Sequence, residues 1–245
     1  MFALPNLFGR NRSPRPQTGG AETASPEAFP AEARELLTAA RPRPVASQPV
    51  EAGESSPLDA VIAKWREALG TQPNSGRIHL RLGVALYEKG EYEEALIAFR
   101  KAARLGQEAG LSGADCGLAH CGLGCALLQQ SRGYLEIALP EFRKAVHALN
   151  TTPDFAPPSL TQGLALYAQG QHEEAIAALR QTLCLGPEDG LLGTDPALAH
   201  CALGCALIAQ DKDDLESAFV EFQRAFCLLC LARAPLVDKP PQSNL

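Results

Sequence analysis

The chain lacks the features that mark membrane-spanning proteins, nucleic-acid-binding proteins and the common enzyme classes. None of its apolar runs reaches the roughly 18 residues that a spanning helix needs. With 22 basic and 28 acidic residues, it offers no basic stripe that could neutralise phosphates. The motifs GxSxG, GxxxxGK(S/T), HExxH and GxGxxG are also missing. We therefore expect no membrane span, no nucleic-acid partner, no catalytic residues, no cofactor and no metal.

What the chain has instead is an internal duplication. Residues 83–147 are repeated without a gap by residues 163–227, which lie 80 positions downstream, and 33 of the 65 paired positions are identical. A segment that recurs at a constant spacing buries its apolar face against its own neighbours, as in solenoid proteins. The duplication therefore predicts a repeat fold, and it favours an extended binding surface over a single active site.

Each copy contains two shorter units that look alike. In the first unit, residues 82–102, apolar residues recur three and four apart on either side of a short turn, and the other units follow the same pattern. This spacing predicts two amphipathic helices packed antiparallel in every unit. Gly90 and Gly170 fall between the helices of their units, where a residue that accepts positive φ ends one helix and lets the next begin.

These units resemble the tetratricopeptide repeat, a family of helix-turn-helix units of about 34 residues. The matching residues of the first unit are Leu82, Gly83, Gly90, Ala95, Phe99 and Ala102. The resemblance implies an all-α fold, a right-handed superhelix of helix-turn-helix repeats with about four full units and an N-terminal half unit. One departure is Gln162, which stands where the family pattern has a leucine.

The sequence divides into four predicted parts. Residues 1–55 are rich in Pro, Ala, Ser and Gly and are predicted to be a disordered tail, because they cannot bury enough apolar surface to offset the entropy of ordering. Residues 56–75 are predicted to form a half-repeat helix that covers the first unit. The repeat domain is predicted over 76–233, and residues 234–245 form a C-terminal tail. The predicted units lie near 76–109, 117–152, 156–189 and 197–233.

In tetratricopeptide repeats the first helix of each unit lines a concave groove, and the resemblance implies the same role here. The implied groove residues are Arg77, Leu80, Val84, Tyr87, Leu118, Cys121, Cys125, Leu128, Leu160, Leu164, Tyr167, Leu198, Cys201, Cys205 and Ile208. Some family members hold a peptide's terminal carboxylate with Lys, Asn and Arg at these positions, but most positions here are apolar. We therefore expect the groove to bind an apolar peptide or an amphipathic helix.

Two alternatives remain open for this groove: loops or the tail of the same chain cover it, or the superhelix is tight enough to bury it. At the other end, residues 225–237 are apolar nearly all round, which favours self-association as a homodimer unless residues 235–237 fold back over that face. Together these features predict a non-catalytic protein-protein interaction scaffold in the cytoplasm, with another protein or peptide as its partner.

The chain contains eight cysteines, and four of them belong to a duplicated string, His-Cys-x-x-x-Cys, at residues 120–125 and 200–205. The string resembles a ligand set, so a redox- or metal-responsive sensor is the alternative function. Cysteines four apart on a helix have Cβ atoms about 5 to 6 Å apart, too far for a disulfide. Helix packing distances also predict that the two strings lie on the order of 20 Å apart. We therefore interpret these cysteines as small packing residues and the two histidines as bulky ones.

Overall fold

The computed structural model describes residues 56–109, 111–150, 156–185, 191–211 and 214–232. Within these ranges the chain forms α-helices and one short 3₁₀ turn at Arg132–Tyr134, and no strand. The predicted disordered tail and the C-terminal tail lie outside the described residues. The all-α fold of helix-turn-helix units that the sequence predicts is confirmed.

Nine helices make up the described part of the chain. They are α1 (Pro57–Thr71), α2 (Gly76–Lys89), α3 (Tyr92–Ala109), α4 (Gly113–Gln130), α5 (Leu135–Leu149), α6 (Pro158–Ala168), α7 (His172–Leu183), α8 (Asp195–Gln210) and α9 (Leu215–Ala232). We call α2 to α5 the first block and α6 to α9 the second block. The two blocks contain the two copies of the duplication.

The helix ends follow from local sequence. A capping box starts α1: the Ser56 hydroxyl accepts a hydrogen bond from the Leu58 N–H, and the Asp59 carboxylate accepts one from the Ser56 N–H. Gly90 ends α2 with a φ of 88°, and Gly170 has a φ of 78° just after α6. Only glycine adopts this conformation without strain, so the predicted turn role of both glycines is confirmed.

Successive helices pair within each block: α2 packs on α3, α4 on α5, α6 on α7 and α8 on α9. In the α4–α5 pair, a Cβ added at Gly124 would lie 2.6 Å from the Phe142 ring. In the α8–α9 pair, a Cβ at Gly204 would lie 2.6 Å from the Phe222 ring. Because any side chain at these glycines would collide with a phenylalanine, the glycines allow each pair to close and bury its ring.

The pairs of one block stack on each other in the manner of a solenoid. Helices α2 and α3 pack on α4 in the first block, and α6 and α7 pack on α8 in the second. Helix α1 packs on α2, where the Arg81 guanidinium lies 5.2 Å from the centre of the buried Trp65 ring. The first block thus has a covering helix at its N-terminal end. Among the described helices, the second block has none.

Contact between the blocks does not continue this stacking. Helix α5 packs on α8 rather than on α6, the helix that follows it, and α9 packs on α4. Phe142 of α5 and Phe222 of α9 are 80 positions apart, and their rings stack with centroids 3.5 Å apart. Equivalent residues touch when two similar objects meet across a two-fold axis. The two blocks are therefore related by an approximate two-fold axis that passes near this ring pair.

The sequence of α6 explains why none of the described helices stacks on its outer side. In α2, Ile78 and Leu82 are buried, whereas the equivalent residues of α6, Pro158 and Gln162, are exposed. An apolar side chain at either position of α6 would lie in water, so the change to proline and glutamine suits an uncovered face. The departure of Gln162 from the family pattern thus has a structural reason.

Candidate functional site

Most of the predicted groove residues lie inside the protein. Arg77 is exposed, and Val84, Tyr87, Leu164 and Tyr167 are half-buried. The buried members are Leu80, Leu118, Cys121, Cys125, Leu128, Leu160, Leu198, Cys201, Cys205 and Ile208. Each block turns this face toward the other block, where α9 packs on α4 and α5 packs on α8. Within the described residues, the two inner faces therefore meet in an internal contact instead of lining an open groove.

Helix α9 fills the inner face of the first block with aromatic side chains. The Phe226 ring lies 4.7 Å from the Tyr87 ring and 6.0 Å from the Phe99 ring, measured between centroids. Phe222, one turn earlier, stacks on Phe142. Leu229, nearly a turn later, is also buried. This spacing is that of an amphipathic helix lying in a groove.

Helix α5 approaches the second block with smaller side chains. Val146 corresponds to Phe226 by the 80-residue offset, and Leu179 corresponds to Phe99. Tyr167 is half-buried and lies near Arg143. Burial raises the pKa of Tyr167 to about 12, so its phenol stays neutral at physiological pH. The second face is therefore less aromatic than the first, and Val146 is less buried there than Phe226 is in the first.

The cysteines of the two strings meet where the blocks touch. The thiols of Cys121 and Cys201 lie close enough across the blocks for each to shift the pKa of the other. Each also pairs with the cysteine one turn along its own helix, Cys125 or Cys205. The expected separation on the order of 20 Å is wrong, because that distance assumed repeats stacked in one direction. The two-fold arrangement instead brings equivalent cysteines together.

These thiols are anchored as well as buried. Cys121 and Cys125 donate to the Phe222 carbonyl at 3.7 and 3.6 Å, and Cys201 donates to the Phe142 carbonyl at 3.5 Å. The neighbouring Cys125 thiol and burial raise the pKa of Cys121, and the Cys121 thiol and burial raise that of Cys201. Both thiols are therefore protonated in the closed protein. In the described residues, His, Cys, Asp and Glu form no group of three or more that could hold a metal ion.

The two histidines of the strings have partners that the sequence interpretation missed. His120 Nδ1 lies 2.8 Å from a Glu141 oxygen, and His200 Nδ1 lies 2.6 Å from a Glu221 oxygen. In both cases the other carboxylate oxygen contacts the basic residue three positions later. Burial alone would raise the pKa of both glutamates, but these contacts outweigh it and lower the pKa. The available signal was a glutamate 21 residues after the histidine in both copies.

The described surface keeps few large apolar side chains. Those exposed are Ile97, Tyr134, Ile137, Leu192 and Val220. The apolar stretch that starts at residue 225 is largely internal, since Phe226 and Leu229 are buried against the protein's own helices. Residues 233–237 lie outside the described part. No described helix is long and apolar enough to cross a membrane.

Comparison with known proteins identifies the family to which the repeats belong. The family model of the tetratricopeptide repeat matches residues 58–110 and 121–190. A solved structure, the TPR2AB-domain:pHSP90 complex of yeast Sti1, aligns with a TM-score of 0.34 and 17% identity over 73% of this chain and 78% of that chain. A search of curated proteins gives no match. Since the family model covers half of the sequence and the helix pairs have the expected form, the chain belongs to the tetratricopeptide repeat family.

Proposed function

We propose that this chain is a non-catalytic protein-interaction module that binds an apolar peptide or amphipathic helix on the inner faces of its blocks. The observation that carries the proposal is the seating of α9 on the first block through Phe222, Phe226 and Leu229. A face that accepts one helix by a large apolar residue on each turn has the chemistry to accept another. The partner helix is then expected to carry large apolar residues at i, i+4 and i+7.

An external helix gains access when the two blocks separate. Helices α8 and α9 form one pair closed around Gly204 and Phe222, so the pair leaves the first block as a unit. The apparent affinity for a partner is reduced by the fraction of molecules that are closed. A change that weakens the contact between blocks is therefore expected to strengthen binding, and a charge on the inner face is expected to weaken it.

The test uses a defined probe, a labelled synthetic peptide of residues 215–232 with Cys227→Ser and Cys230→Ser, in fluorescence anisotropy. Phe226→Ala in the full chain empties the space beside Tyr87 and Phe99, and we expect the peptide to bind at least about tenfold more tightly. Val84→Glu, on the inner face that accepts α9, should weaken binding of this peptide by about tenfold. Ile97→Glu, at an exposed position of α3, is the matched control. Unchanged affinity in both inner-face variants would rule this face out as the binding site.

A separate proposal concerns self-association through the C-terminal helix. Cys227, Leu228 and Leu231 of α9 stay half-buried after the chain has covered Phe226 and Leu229. A homodimer through this strip should be visible as a mass that rises with concentration in light scattering and that Leu228→Glu returns to the monomer value.

Affinity purification with and without residues 1–55 would identify natural partners, in the cytoplasm or in another reducing compartment.

The second candidate function is a redox-responsive switch. The contact between the two cysteine pairs favours it, because the pairs can now cooperate within one chain. Its metal-binding form has no support in the described residues. Stoichiometric zinc, iron or haem in protein purified under reducing conditions would reverse that judgement.

A further inference from the structure

The contact between the blocks brings together two cysteines that are equivalent by the duplication. Cys121 lies on α4 and Cys201 on α8, 80 positions apart, and the two thiols lie close enough for each to shift the pKa of the other. All eight cysteines of the chain are free, and these two are fully buried. Cysteines within one string cannot bond to each other, because residues four apart on a helix hold their Cβ atoms too far apart. The pair across the blocks has no such restriction.

Hydrogen bonds hold both thiols at the contact. Cys121 donates to the carbonyl of Phe222 in the second block, and Cys201 donates to the carbonyl of Phe142 in the first. The rings of these two phenylalanines stack on each other. Phe142 and Phe222 therefore contribute both the ring contact between the blocks and the carbonyl groups that accept hydrogen bonds from the two thiols.

We propose that Cys121 and Cys201 are a disulfide-forming pair that, on oxidation by a peroxide, locks the two blocks together. The proposal deepens the second candidate function by naming its residues. It also links that function to the first, since a locked contact keeps both inner faces closed to a partner.

The reaction is balanced with one peroxide per bond. When the blocks part, one exposed thiolate attacks the peroxide, becomes a sulfenic acid and releases hydroxide, which takes up a proton to form water. As the blocks come together again, and before the second thiol is buried and protonated, its thiolate attacks the sulfenic sulfur, the S–S bond forms, and the hydroxide that leaves takes up a proton to form the second water. Two sulfurs lose two electrons in total, and the two peroxide oxygens gain them.

Burial makes this lock conditional on opening. The closed protein excludes peroxide from both thiols, which have no exposed surface, and their raised pKa keeps them protonated. A protonated, buried thiol is a poor nucleophile. The rate of oxidation therefore depends on how often the blocks separate. Low concentrations of urea that favour separation should increase this rate.

The decisive experiment treats the reduced full-length chain with hydrogen peroxide and maps its peptides without reduction. We expect a peptide pair joined at Cys121 and Cys201, and a fall from eight free thiols to six. Cys201→Ala should abolish the joined pair. Cys205→Ala is the matched control, because it removes an equally buried thiol one turn along the same helix and leaves both partners in place. A bond at other positions instead, such as Cys125 to Cys230, or a bond between chains, overturns the proposal.

A second measurement checks the lock itself. The bond would close a loop of 80 residues between Cys121 and Cys201, and a loop of this size should raise the urea midpoint of unfolding by on the order of 1 M. Dithiothreitol should reverse the shift. The oxidised chain should also bind the 215–232 peptide at least about tenfold more weakly than the reduced chain. If the reduced chain does not bind the peptide at all, the interaction proposal fails while the mapping and the midpoint still decide the lock. An unchanged midpoint in the linked protein overturns the lock.

Discussion

The two blocks share about half of their aligned residues, yet they differ at both of their faces. On the inner side, the first block receives Phe226 between Tyr87 and Phe99, whereas the second block has Val146 and Leu179 at the equivalent places. On the outer side, α1 covers α2, whereas no described helix covers α6. The first block is therefore a better-filled and better-covered unit than the second. The two blocks are copies of one segment, and the residues in which they differ correspond to the different contacts that each face makes.

The largest difference in stability between the blocks is expected when the side chain that packs into each inner face is shortened to alanine. Phe226→Ala removes a buried ring that contacts two aromatic residues, and we expect it to lower the free energy of unfolding by about 4 kcal/mol. Val146→Ala, at the equivalent but half-buried position, should cost about 1 kcal/mol. Urea unfolding of both variants measures the difference. Equal costs would contradict the claim that the two inner faces are filled to different degrees.

Local features of this fold could be predicted from the sequence, and the contact between blocks could not. The helix pairs and the turn glycines Gly90 and Gly170 depend only on residues a few positions apart, so their pattern is visible in the chain. The inner-face cysteines are apolar packing residues whether the repeats continue in one direction or turn back on themselves. The burial pattern is therefore the same in both arrangements. One signal indicated that the blocks do not stack in one direction: Gln162 of α6 is polar where the equivalent Leu82 of α2 is buried.

The second test exchanges residues between the outer sides of α2 and α6. Leu82→Gln would bury an amide at a site that is 7% exposed, and we expect it to cost about 3 kcal/mol. Gln162→Leu at the equivalent exposed site should change stability by less than about 0.5 kcal/mol. Thermal or urea unfolding checks both values. A large gain in stability from Gln162→Leu would mean that another part of the chain covers α6, and the contrast between the two outer sides would fail.

The smallest expected effect concerns the buried His–Glu pairs, which are alike in the two blocks. Contacts with histidine and a neighbouring cation outweigh burial and lower the pKa of Glu141 and of Glu221. A lowered folded pKa contributes stability that is complete above the unfolded value of about 4.3. That contribution disappears as the pH falls through the folded pKa. We therefore expect each pair to weaken below about pH 4.3.

Glu221→Gln and Glu141→Gln keep an acceptor for the histidine and remove the charge, so each should cost about 1 kcal/mol near neutral pH. Glu221 contacts Arg224, and the positive charge of Arg180 also lowers its pKa, whereas Glu141 contacts an exposed lysine. We therefore expect Glu221→Gln to lower the free energy of unfolding more than Glu141→Gln does. Urea unfolding between about pH 7 and pH 3.5 separates the charge effect, because the wild type should lose its advantage over both variants as the glutamates become protonated. An advantage that persists at the acid end would mean that the amide disturbs packing, and that the charge of the pair does not stabilise the fold.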